Sequence, residues 1–377
     1  MWTFKNPVAI EFGIGVFSRL TEAIGGRSYA LITYPDAPFQ DLSRRLIKRA
    51  GAPVLTINDV DANPDVVLLK QQCQRFRALD RPVEVLVALG GGSVIDSAKV
   101  FAAAGGNFDR VSEILEHGAG QQTVTPPPII AVPTTAGTGS EVTCWATVWN
   151  KARGSKHSLA LPGLFPERAL IDPRLTVEKP LSLTVSTALD ALSHALESIW
   201  NVNANPISLS HAVASAKMTL DTLPRLLEDL QNIELRQRQV EASLLAGLAF
   251  SGTKTALAHS MSYPITLKWG VQHGIACSFS LPMILRSVQG IGGEREAALA
   301  EIFGADFSQG ALRLMGFLNR IGIGCTFSAQ GVPKRQIKPI VEAAFDGPRG
   351  LNFAGSKAAF MKSLKLQGTL GPRLTES

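Results

Sequence analysis

The hydrophobic pattern changes texture about halfway along the chain. In the first half, Tyr29 to Thr33 (YALIT), Val85 to Leu89 (VLVAL) and Ile129 to Val132 (IIAV) are short, β-rich stretches that are apolar on both faces. Each is followed by turn residues and then by helix-like sequence, the signature of buried parallel strands in alternation with helices. The pattern predicts a doubly wound, largely parallel α/β sheet up to about Thr176. The segment LIDPRLTVEKPLS, Leu170 to Ser182, carries two prolines and mixed charge and reads as the exit from that sheet. The expected domains are therefore 1–178 and 179–377. Beyond the boundary, Leu183 to Trp200, Ile207 to Leu230 and Leu235 to Ala258 are long Ala/Leu-rich segments with helical spacing, so the second domain is expected to be all-α. Pro224 should bend or divide its helix. No internal repeat is visible, and the tail from about Gly355 to Ser377 is weakly patterned and expected to be loosely held.

Two glycine-rich turns follow predicted strands. GGGSVIDSAKV (Gly90 to Val100) follows VLVAL, and PTTAGTGSEV (Pro133 to Val142) follows IIAV. Gly90, Gly91 and Gly92 let a backbone approach a bulky anion, and the N–H groups of the helix start would face its phosphates. Ser93 places a hydroxyl where a helix cap would sit, and Thr134, Thr135, Thr138 and Ser140 offer more around Gly137 and Gly139. Two such loops at strand carboxyl ends suit a nucleotide or dinucleotide. Neither is a complete GxGxxG, and glycine turns also serve merely to connect elements. No GxxxxGK[ST] exists, which argues against a P-loop enzyme.

One polar pair interrupts the apolar second half. In DALSHALES, Asp190 and His194 stand four residues apart in a stretch that reads as buried helix. On a helix they point to the same side one turn apart, which suits joint ligation of a divalent ion. With His259 and His273 they would give one carboxylate and three imidazoles, a site for Fe2+ or Zn2+ with a position left for a substrate oxygen. The alternative is an ordinary interaction between neighbouring helix side chains. His117 and His157 lie in loop-like sequence and read as solvated, and His211 reads as a structural histidine.

Composition narrows the classes. With 45% hydrophobic and 18% charged residues in 377, the chain is an ordered globular protein, and no apolar run is long enough to cross a bilayer. Its first residues, MWTFKNP, do not read as a secretory leader, so a cytoplasmic protein without membrane partners is expected. The net charge of +6 comes from scattered Lys and Arg, which argues against a nucleic-acid stripe. Cys73, Cys144, Cys277 and Cys325 lie far apart without CxxC spacing, which argues against a disulfide framework and a thiolate zinc site.

GGGSVIDSAK, PTTAGTGSEVT, LFPERALIDPRLT, DALSHALES and AHSMSYP…QHGIACSFSLP occur in an order, over roughly residues 1 to 285, that resembles the iron-dependent (group III) alcohol dehydrogenase family. The resemblance implies a dinucleotide-binding α/β domain, a helical domain, NAD(P)H, one Fe2+ or Zn2+ ion, a small aldehyde or alcohol substrate and a homo-oligomer such as a dimer. It places the metal ligands on Asp190, His194, His259 and His273. It places the pyrophosphate loop on Gly90, Gly91, Gly92 and Ser93, with Asp96 towards the nicotinamide. Thr134, Thr135 and Ser140 match the second cofactor loop, and Lys156 matches a lysine that approaches the cofactor. SHALESIWN and AHSMSYP are further similar to phosphonoacetaldehyde reductases, which form 2-hydroxyethylphosphonate. Dehydroquinate synthase-like lyases and glycerol-1-phosphate dehydrogenases share a related architecture, but their site wording differs.

Two departures from the family pattern matter. Many relatives read HGMAHP where this chain reads HSMSYP, so Tyr263 stands in place of a second histidine and becomes a candidate proton donor or packing residue. Tyr34 occupies the position after the first predicted strand where NAD-preferring relatives carry an acid, which opens the site to NADPH unless Asp36 compensates. Lys254, Lys268 and Arg286 lie near the histidine segments and could meet an anionic substrate, but each reads first as an ordinary surface charge.

Overall fold

The computed structural model describes residues 1–121 and 124–369, with side chains to residue 367. It divides into two compact units, one spanning Asn6–Glu178 and the other running from Lys179 onward together with Met1–Lys5.

The first unit is built on a six-stranded sheet in the order β1-β8-β5-β4-β2-β3. Its strands are β1 (Ala9–Phe12), β2 (Tyr29–Ile32), β3 (Leu55–Ile57), β4 (Val85–Gly90), β5 (Ile129–Pro133) and β8 (Arg168–Ile171), all paired in parallel. Strand alternation sorts the apolar residues onto two cores. Ala30, Ile32, Leu86, Ala88 and Ala131 pack with the helices Val66–Gln74, Gly92–Ala104 and Phe108–His117. Leu31, Val85, Val87, Leu89 and Val132 pack with Leu20–Ile24 and Ala37–Ala50 on the other side. Helices on both faces make this the doubly wound arrangement expected from sequence.

The three apolar runs are β2, β4 and β5, three adjacent interior strands of the sheet. The pattern did not reveal β1, β3 and β8, whose short sequences AIEF, LTI and RALI are partly exposed or polar. Nor did it reveal an antiparallel ribbon of β6 (Trp145–Asn150) and β7 (Ser155–Ala160). His157 lies on β7 and is half-buried beside Ser155, while His117 ends a helix and is exposed, so neither sits in a loop as expected.

The second unit is helical. The helix Leu181–Ile199 is buried at every position from Thr184 to Ile199 and packs against Pro206–Glu228, Ile233–Thr253 and His273–Ser278. A helix apolar all round belongs at the centre of a bundle. Pro224 falls four residues before the end of its helix, which it does not divide.

Two expectations here are corrected. The predicted segment Leu235 to Ala258 is not one helix: it stops at Thr253, Lys254 takes a left-handed φ of 67°, and a new helix, Leu257–Trp269, begins. His259 therefore opens a helix and does not close one. The tail is not loose over its described part, because Lys357–Thr369 is helical, buries Phe360, and donates from the Ser363 hydroxyl to the Met283 carbonyl at 2.8 Å. Residues 370–377 of that expectation lie outside the described residues. Among the described residues, no helix is long and apolar enough to cross a membrane.

The helix His273–Ser278 lies flush on the helix Leu181–Ile199. A Cβ built on Gly274 would come within 1.7 Å of the Ser186 carbonyl oxygen, and the Ser278 hydroxyl reaches the Leu189 carbonyl at 2.9 Å. Gly274→Ala should therefore force these helices apart and cost about 3 kcal/mol or more, as severe overpacking does. Urea denaturation of the purified variant measures this, and wild-type stability would contradict the packing described.

Candidate functional site

Burial along the helix Leu181–Ile199 leaves its polar side chains dependent on protein partners. Asp190, His194 and Glu197 fall at i, i+4 and i+7, on one stripe of that helix. Glu197 was not singled out from sequence, yet it organises the region. Its carboxylate accepts the backbone N–H groups of Ala256 (2.8 Å), Ala258 and His259 (3.2 Å), capping the helix that starts at Leu257. The same carboxylate meets His259 Nδ1 at 2.6 Å. With Nδ1 donating to Glu197, a neutral His259 ring would have its Nε2 lone pair on the opposite edge, in the tautomer a metal requires.

That nitrogen faces Asp190. Asp190 Oδ1 lies 3.4 Å from His259 Nε2, 3.9 Å from His194 Nε2 and 3.9 Å from His273 Nε2. Donors about 2.1 Å from one tetrahedral ion would stand about 3.4 Å from each other, close to this spacing. Asp190 Oδ1 and His259 Nε2 are both buried and neither makes a hydrogen bond. Such orphaned atoms are rare in folded proteins, and one cation between them would satisfy both. Burial alone would raise the Asp190 carboxyl, but the charge of His194, His259 and His273 when protonated, in the place a cation would take, holds it well below the usual carboxylate range. His194 is fixed between the Phe250 ring, stacked at 4.0 Å, and the His259 ring at 4.5 Å. The residues therefore fit a divalent ion. Of the four predicted ligands, Asp190, His259 and His273 fall in one grouping, and His194 stands 3.9 Å from Asp190 but outside that grouping.

The tightest grouping also contains a residue the cysteine spacing argued against. One ligand atom each from Asp190, His259, His273 and Cys277 lies within 4.8 Å of the others. Cys277 follows His273 by four residues on the same helix, a signal visible in the sequence once the helix is known. Tyr263 lies parallel to the His273 ring at 6.0 Å, and the guanidinium of Arg349 sits over Tyr263 at 4.8 Å while its Nε donates to Thr255 Oγ1. Of the cations weighed from sequence, Lys254 and Lys268 are exposed, as the surface-charge reading expects, and Arg286 donates to Gln367.

In the α/β unit the two glycine loops pack into each other. A Cβ on Gly91 would meet Thr135 at 3.0 Å, and one on Gly92 would meet Thr138 at 2.6 Å. What the glycines permit here is this close approach of the two loops. Ser93 is not the cap: Gly91 is the N-cap of Gly92–Ala104 and supplies no side-chain bond, which leaves first-turn N–H groups for an anion. Ser93 Oγ instead accepts from the Asn63 N–H at 3.2 Å. Tyr34 lies beside Ser93, packed edge-on against Phe39, and burial raises its phenol. Thr134 continues the ladder by donating from its N–H to the Gly90 carbonyl at 3.0 Å.

Beneath the loops is a buried polar network. Asp96 accepts from the Ser140 hydroxyl (2.6 Å) and the Thr147 N–H (2.8 Å). Lys99, which sequence reasoning passed over, donates to the Ser140 carbonyl (2.7 Å), the Ser140 hydroxyl (2.9 Å) and the Trp145 carbonyl (2.8 Å). Burial pushes the Lys99 ammonium down to about 8 and raises the Asp96 carboxyl, each offset by the other's charge. Lys156 pairs across the ribbon with Trp149, its ammonium 5.2 Å from that ring, and its charge is felt at Asp96.

Comparison with known proteins places these features in a family. Residues 7–173 match the iron-containing alcohol dehydrogenases, and residues 184–363 match the C-terminal domain of the Fe-containing alcohol dehydrogenase family. The NAD-dependent methanol dehydrogenase of Bacillus methanolicus is 29% identical over 92% of this chain and 94% of its own length. Phosphonoacetaldehyde reductase of Streptomyces viridochromogenes is 32% identical over 85% of this chain and 86% of its own. The crystal structure of sulfoacetaldehyde reductase from Bifidobacterium kashiwanohense in complex with NAD+ aligns with a TM-score of 0.88 at 31% identity, covering 98% of this chain and 99% of that one. The chain belongs to the iron-containing alcohol dehydrogenase family of NAD-dependent oxidoreductases.

Proposed function

We propose that this chain reduces a small anionic aldehyde, phosphonoacetaldehyde or a close analogue, with NAD(P)H at a divalent iron or zinc ion held by Asp190, His194, His259 and His273. The observation that carries the reading is the convergence of three imidazole Nε2 atoms, at 3.4 to 3.9 Å, on one buried Asp190 oxygen that has no hydrogen bond. When bound, the ion supplies Lewis acidity towards a carbonyl oxygen and the nicotinamide supplies the hydride.

The chain's own residues do the rest. Asp190 offsets part of the cation's charge, and Glu197 holds His259 in the tautomer whose Nε2 can ligate. Tyr263, set against the His273 ring, is the phenol assigned to proton delivery at the product oxygen. In the α/β unit, the N-terminal turn of Gly92–Ala104 and Ser93 would take the pyrophosphate. Asp96, Thr134, Thr135, Ser140 and Lys156 would line the cofactor, with Lys99 pinning the Ser140 segment from below.

Two observations support an anionic substrate. Relatives at 32% and 31% identity are named for acetaldehydes that carry a phosphonate and a sulfonate. In this chain, Arg349 lies over Tyr263, one ring removed from His273, with the Thr255 hydroxyl its hydrogen-bond partner. A guanidinium so placed matches the oxygens of a phosphonate or sulfonate.

Metal-reconstituted protein should turn over phosphonoacetaldehyde or sulfoacetaldehyde with a kcat/KM well above that for propanal. Arg349→Ala should lower kcat/KM for the anionic aldehydes by about 10- to 100-fold, mostly through KM, the loss expected for a charge-assisted hydrogen bond. Propanal turnover should change little. No turnover of any aldehyde, or equal losses for charged and neutral substrates, would overturn the reading.

The cofactor assignment is tested separately. Tyr34→Asp should shift the NADPH to NADH ratio of kcat/KM towards NADH by roughly tenfold, because a carboxylate there would bind a ribose hydroxyl and repel a 2′-phosphate. An unchanged ratio would remove Tyr34 from the cofactor site.

A further inference from the structure

We infer that Cys277 is a sulfur ligand of the same ion, which makes the centre a mixed nitrogen, oxygen and sulfur site. The inference rests on the reading that a divalent ion binds among Asp190 and the histidines, and it adds a donor to that set. Cys277 Sγ lies 3.7 Å from His273 Nε2. On a five-coordinate ion, a sulfur about 2.3 Å and a nitrogen about 2.1 Å from the metal would be about 3.1–3.8 Å apart. The thiol is wholly buried and shares with Asp190, His259 and His273 the one grouping, among the described residues, whose donor atoms all lie within 4.8 Å of each other. Two of its neighbours there, Asp190 Oδ1 and His259 Nε2, are buried and lack hydrogen bonds, so the sulfur borders a position that already calls for a cation.

Placement follows from the fold. Cys277 lies one turn beyond His273, and the absent side chain of Gly274 lets that turn seat against Ser186 and Asp190. On ligation the S–H bond breaks, a sulfur–metal bond forms, and the proton leaves to solvent. A thiolate is a softer donor than carboxylate or imidazole, so it biases the site towards Zn2+. The other three cysteines lie outside this grouping.

Cobalt reports the two claims separately. Metal-free full-length protein loaded with one equivalent of Co2+ should show visible ligand-field bands, which report a bound ion, and a near-ultraviolet sulfur-to-cobalt charge-transfer band. Cys277→Ser should lose the charge-transfer band and keep the visible bands. Visible bands without charge transfer in the unsubstituted protein would overturn the sulfur ligand while sparing the metal site, and so would a charge-transfer band that survives in Cys277→Ser. Absence of both bands would overturn both. Should the variant fail to fold, X-ray absorption on the unsubstituted zinc form decides the matter. A sulfur scatterer at about 2.3 Å supports the ligand, and a shell of nitrogen and oxygen alone refutes it.

Discussion

A carboxylate oxygen buried against three imidazoles needs positive charge among them, from protons on the rings or, when it is bound, from a metal ion that displaces those protons. Asp190 Oδ1 has no hydrogen bond, and neither has the His259 nitrogen that faces it. Leaving such atoms unsatisfied costs on the order of 1–3 kcal/mol each. The surrounding helices nevertheless hold them there. Leu181–Ile199 has no exposed face over its last four turns, so Asp190 and His194 cannot turn to water.

Glu197 links that constraint to the fold. Its carboxylate closes the N-terminus of the helix beginning at Leu257 and orients the His259 ring, so one buried side chain both starts an element and aims a ligand. Gly274 acts in the same sense from the other side, since only a residue without Cβ lets the His273 turn seat on the Asp190 turn. In the α/β unit, Lys99 has a comparable place: it fastens the Ser140 segment beneath two glycine loops that fit together because the glycines lack side chains.

How much of this was legible follows from the physics of each signal. The strands β2, β4 and β5 could be read because strands buried on both faces become continuous apolar runs; β1, β3 and β8 could not, because brief partly exposed strands leave no such run. Asp190 and His194 stood out by being polar in an apolar helix. Glu197 obeys the same logic one turn further on and was readable in principle. The break at Lys254 was not, because it depends on a left-handed backbone in a non-glycine residue and on a cap supplied 59 to 62 residues away. Arg349 reaches Tyr263 only through tertiary packing, and no spacing rule connects them.

The claim on which the account depends is that Asp190, His194, His259 and His273 surround one cation. Anomalous diffraction at the iron or zinc absorption edge, from crystals of metal-loaded protein, tests it most directly. The account predicts a single strong peak about 2.0–2.2 Å from Asp190 Oδ1 and the imidazole Nε2 atoms. Protein that binds the metal elsewhere, with no peak among these four side chains, would contradict it.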